Sequence, residues 1–153
     1  MESQQSFGIR ADNGTGGGAE AAERTLDRRL HAAFAPGQLA AIAPLRAELR
    51  AALGRWGVPE LADTAELLTT ELVANALQHT TAGAVLDAVL GGDRRLRVEV
   101  RDGTPELPSP RRAAETATSG RGLMLVEALA DAWGVRVRAE GKITWFELAA
   151  PGR

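Results

Sequence analysis

Glu71, Asn75 and Gln78 fall at i, i+4 and i+7 of a stretch whose apolar residues repeat at helical spacing, with His79 next in line. A carboxylate one helical turn from an amide can polarise a hydroxyl and help hold a hard cation. The same pattern also fits a solvated helix face. Asp102-Gly103-Thr104-Pro105 stands where an alternating segment ends. A carboxylate there can accept a hydrogen bond from an exocyclic amine, and Gly103 lets a flat ring approach the backbone. Asp-Gly is equally a common turn dipeptide. Ser119-Gly120-Arg121-Gly122-Leu123 opens a third helical stretch. Glycines at a helix N-terminus expose N–H groups to an anion, or simply cap the helix.

These residues need elements to position them. Residues 26–34 suit a short edge strand, broken by Pro36-Gly37. Leu39, Ile42, Leu45, Leu49 and Leu53 predict a helix over 38–55, with Pro44 kinking it or delaying its start. Leu61, Ala65, Leu68, Leu72 and Ala76 are the core stripe of a second helix, 60–80. The period then changes to two. Ala84, Leu86, Ala88 and Leu90 alternate, Gly91-Gly92 supplies a two-residue turn, and Leu96, Val98 and Val100 oppose Arg95, Arg97, Glu99 and Arg101. Residues 102–119, with three prolines, make a loop long enough for a lid. A helix over 120–131 and two strands, 135–139 and 143–149, turning at Glu140-Gly141, complete the chain. The order predicts an α+β two-layer sandwich with wet and buried sheet faces.

The 153 residues suit one domain, expected over 25–153. Residues 1–24, with Gly16 to Gly18 and few large apolar side chains, predict a disordered tail. Those glycines lack the lysine and hydroxyl of a phosphate loop. With no cysteine, disulfide frameworks, thiolate metal sites and a cysteine nucleophile are excluded. Eighteen Lys+Arg against 20 Asp+Glu argue against a general nucleic-acid binder. Lys142 is the only lysine, and His31 and His79 are the only histidines. No apolar run of membrane-spanning length and no apolar signal core occurs, so a cytoplasmic protein is expected, with no membrane contact.

Taken together, the stretch from Glu71 to His79, Asp102-Gly103-Thr104-Pro105 and Gly120-Arg121-Gly122-Leu123 resemble, in order and spacing, the three nucleotide-binding boxes of the GHKL (Bergerat-fold) ATPases. Pro105 and the ending from Gly141 to Leu148 are similar to the anti-sigma-factor serine/threonine kinase branch. The resemblance implies a mixed, mostly antiparallel sheet with helices on one face, and ATP with Mg²⁺ as cofactors. It implies Asn75 as the Mg²⁺ ligand and Glu71 as the catalytic base towards a partner's serine. Asp102 would hold the adenine amine, with Gly103, Pro105 and Thr144 around the base. Gly120, Arg121, Gly122 and Leu123 would belong to a lid over the phosphates. Some relatives carry an arginine just before the lid glycines, where Thr118 stands here, while Arg121 lies between them. The implied partners are an anti-sigma-factor antagonist, a sigma factor and a second copy of the chain. The alternatives are a non-catalytic, nucleotide-dependent binding module and a slow stand-alone ATPase.

Overall fold

The computed structural model describes residues 3–6, 28–78, 82–103 and 117–151. Six strands, β1 (Ser3–Ser6), β2 (Arg29–Phe34), β3 (Ala84–Leu90), β4 (Arg95–Asp102), β5 (Ala132–Arg138) and β6 (Gly141–Ala149), form one sheet in the order β1-β5-β6-β4-β3-β2. Every pairing among the described residues is antiparallel. Among the described residues three α-helices, α1 (Ile42–Arg55), α2 (Ala62–Gln78) and α3 (Ala117–Leu129), complete the two layers. The α+β sandwich expected from the element order is the one observed.

Alternation decides which sheet face is dry. Leu86, Ala88, Leu96, Val98, Val100, Phe146 and Leu148 are buried in one core with Leu68, Leu72 and Val73 of α2. A fully buried Leu or Phe contributes roughly 1.5–3 kcal/mol over its exposed state, so this face holds the layers together. α2 is the central helix: it packs on α1, on α3 and on β3 and β4. Its predicted stripe, Leu61 to Ala76, is buried throughout. In α1 the stripe is shorter, because Leu39 lies in a preceding 3₁₀ turn and is 44% exposed. Pro44 sits in the first turn of α1, where its missing N–H would have had no helical partner.

The outer face carries charge. Arg95 and Arg97 both donate to Glu147, at 2.6 and 2.9 Å, and Arg97 also lies over the Trp145 ring. Asp87 accepts from Arg29 at 2.8 Å and faces His31 Nδ1 at the same distance.

Three expectations change. Ser3–Ser6, placed in the expected tail, pair with β5 as an edge strand. The β3–β4 turn uses four residues, Gly91–Arg94, rather than Gly91-Gly92. Arg94, at φ 64°, takes the left-handed position and is held by Glu60 at 3.0 Å and by the Gly57 carbonyl. The β5–β6 turn is Ala139-Glu140, because Gly141 already pairs with Arg138.

Candidate nucleotide site

α2 follows a 3₁₀ turn whose Glu60 meets Arg94 of the β3–β4 turn, and it packs on β3 and β4. β4 starts at the β3–β4 turn and finishes at Asp102. Glu71, 9% exposed, lies on the buried side of α2 and is engaged in a polar interaction there. Asn75, one turn on, is half-buried, and its Oδ1 is fully buried with no hydrogen-bond partner among the described residues. An orphaned buried carbonyl oxygen is costly unless something supplies a positive or donor group. The solvated-face reading of these positions is thereby ruled out for Glu71, and Asn75 Oδ1 fits a Mg²⁺ ligand or its water. Among the described residues no three His, Asp or Glu side chains converge as a metal site. A cation here would draw its remaining oxygens from phosphates and water, as Mg²⁺ commonly does.

Asp102 closes β4, and its side chain is 4% exposed. It pairs in register with Lys142 at the start of β6, and Lys142 Nζ lies 3.0 Å from Asp102 Oδ2. Thr144, also buried, is two residues on along the same face of β6. Gly141 lets these strands meet. A Cβ there would stand 2.0 Å from the Asp102 carbonyl oxygen and 3.0 Å from Gly103 Cα, and its φ of 152° disfavours other residues. Gly103 itself is exposed at the strand end.

α3 starts at Ala117, three residues before the expected Gly120, so Gly120, Arg121 and Gly122 lie inside its first turns. Leu123 is half-buried against the core. Thr118 is helical too, while Pro105 and His79 lie outside the described residues. Glu71 and Asn75 thus lie on α2, while Asp102 and Thr144 lie on the paired strands β4 and β6 that α2 covers in part. Lys142, to which the motif reading assigned no role, is the partner of Asp102. Its signal was compositional, since it is the single lysine among 18 basic residues.

The family described as histidine kinase-like ATPase domain matches residues 35–148, most of the chain, and the chain belongs to that family. A solved structure, the RsbU and RsbW domains of Rv1364c from Mycobacterium tuberculosis, is similar at a TM-score of 0.63 and 25% identity. The likeness covers 82% of this chain and 34% of that one, so the chain spans about a third of its relative's length. No curated protein matches the chain. Among the described residues no helix is long and apolar enough to cross a membrane.

Proposed function

We propose that the chain is a regulatory protein kinase of the anti-sigma-factor type, which binds Mg-ATP at this site and phosphorylates a serine or threonine of a partner antagonist. The observation that carries the reading is the buried Oδ1 of Asn75, without a partner among the described residues, one helical turn from buried Glu71 on a helix inside the family match. The likeness to a structure containing an RsbW domain supports the branch. Mg²⁺ supplies charge neutralisation for the phosphates when bound. The chain's own residues do the rest. Asn75 offers its amide oxygen to the ion. Asp102 accepts from the adenine amine, with Gly103 and Thr144 beside it. Gly120, Arg121, Gly122 and Leu123 belong to the phosphate side, and Pro105 to the base side. Glu71 takes the proton of the acceptor hydroxyl as its oxygen bonds to the γ-phosphorus. The β–γ bridging P–O bond breaks and ADP leaves. Phosphoryl transfer asks chiefly for this positioning and charge stabilisation.

A cytoplasmic location, a sigma factor as second partner and a homodimer belong to the same reading. The test is transfer of labelled γ-phosphate to candidate antagonist proteins, alongside calorimetry with Mg-ATP. Transfer to a protein hydroxyl supports the kinase. Phosphate released only to water identifies an ATPase. Nucleotide-dependent partner binding without either identifies a binding module. No binding of Mg-ATP at millimolar concentration overturns the reading.

A further inference from the structure

The chain uses arginine for 17 of its 18 basic residues, and its one lysine stands at position 142. That position is not an ordinary surface site. Lys142 is 11% exposed, and it faces a carboxylate that is 4% exposed at 3.0 Å. The close approach of Gly141 to the Asp102 carbonyl and Gly103 fixes the β6 backbone against the β4 end, one residue before Lys142. A planar guanidinium is larger than an ammonium and spreads its donors in a fixed fork, so arginine is not equivalent here. An ammonium has three donors, and Asp102 Oδ2 occupies one of them. In a nearly water-free position the others need acceptors.

From this juxtaposition we infer that Lys142 is a base-recognition residue, forming with Asp102 an acceptor–donor pair that reads the Watson–Crick edge of adenine. Adenine offers a donor, its exocyclic amine, beside an acceptor, ring N1. Asp102 accepts from the amine through its carboxylate, and Lys142 donates to N1. The ion pair holds the two groups side by side before the base arrives, which removes the ordering cost from binding. The inference rests on the adenine-nucleotide reading of the site and adds to it the group that senses N1.

The experiment compares Mg-ATP with Mg-1-deaza-ATP, which keeps the amine but replaces N1 by C–H. Affinities are measured by calorimetry for the wild-type chain, Lys142→Met and Lys142→Thr, with circular dichroism as the folding check. The wild type is expected to bind ATP at least tenfold more tightly than the deaza analogue. In a folded Lys142 variant ATP affinity falls about tenfold or more, and the two nucleotides bind within about threefold of each other. A variant that loses affinity but keeps the wild-type ratio shows that Lys142 only orients Asp102, and overturns the donor role. Unchanged affinity and ratio overturn it as well. So does a wild type that binds both nucleotides equally, a result that needs no variant to fold. A wild type that binds neither nucleotide overturns the nucleotide reading itself, a failure distinct from the others.

Discussion

The indole of Trp145 lies across Gly134 of the neighbouring strand, so that a Cβ on residue 134 would stand 2.9 Å from the ring. On its other flank the same ring receives Arg97, whose guanidinium carbon is 4.1 Å from the ring centroid. The three residues make a stack on the outer sheet face in which the glycine is the floor.

Gly134→Ala is therefore expected to destabilise the fold by about 1–3 kcal/mol, the usual cost of forcing extra volume into a packed place. Urea unfolding of the variant measures it. A variant as stable as the wild type would mean that the ring moves freely.

Glu147 gives a pH dependence of known sign. Burial pushes its carboxyl up, but the hydrogen bonds and charges of Arg95 and Arg97 outweigh this and hold it below the ordinary glutamate range. A carboxylate with a lowered folded value stabilises the fold above its unfolded value, and that contribution is lost as pH falls through the folded value. Glu147→Gln should cost about 1–2 kcal/mol at neutral pH. The gap between variant and wild type should close as the pH drops below the ordinary glutamate range. Asp87, for which burial is likewise outweighed by His31 and Arg29, should follow the same course. Melting curves across acid pH check both.

Asp102→Asn should weaken ATP by on the order of 1.5–3 kcal/mol, the worth of a hydrogen bond to a charged group. It should also narrow the preference for ATP over GTP, since guanine carries a carbonyl where adenine carries the amine. Competition binding with the two nucleotides reads both effects.

Asn75→Ala and Glu71→Ala should separate. The first removes the orphaned amide oxygen and should weaken Mg-dependent nucleotide binding. The second should leave Mg-ATP affinity within about threefold while slowing transfer by about 10²–10⁴-fold, the range of general-base assistance. Loss of ATP binding in Glu71→Ala would make that carboxylate a structural or metal group.

The parts of the fold that sequence periodicity revealed are those where each residue's side was decided by its own chemistry. Leu96, Val98 and Val100 alternate with Arg95, Arg97 and Glu99, and no other arrangement buries the one set and wets the other. Ser3–Ser6 have no such alternation, because an edge strand of Ser-Gln-Gln-Ser is recruited by backbone pairing to β5. The β3–β4 turn departs from its glycine pattern for a tertiary reason. Two glycines offered the left-handed conformation, yet Arg94 adopts it, held from outside the hairpin by Glu60 and Gly57. In the site, Glu71, Asn75 and Asp102 were legible as residue types at helical spacing or at a strand end. The Asp102–Lys142 pair was not, because it exists only in the register of β4 against β6, which no single segment encodes.

Lys142 is the only side-chain amine in the sequence, and it is shut in an ion pair. Amine-directed chemistry thus becomes a positional probe of this protein without any engineering. An acylating reagent that modifies a side chain can report on one place only, the junction of β4 and β6. Its rate measures how often that junction opens. Nucleotide bound against the ammonium would protect it, while Asp102→Asn would release it to react. Mass spectrometry of the peptide containing Lys142 then reads site occupancy from unlabelled protein, one covalent adduct at a time.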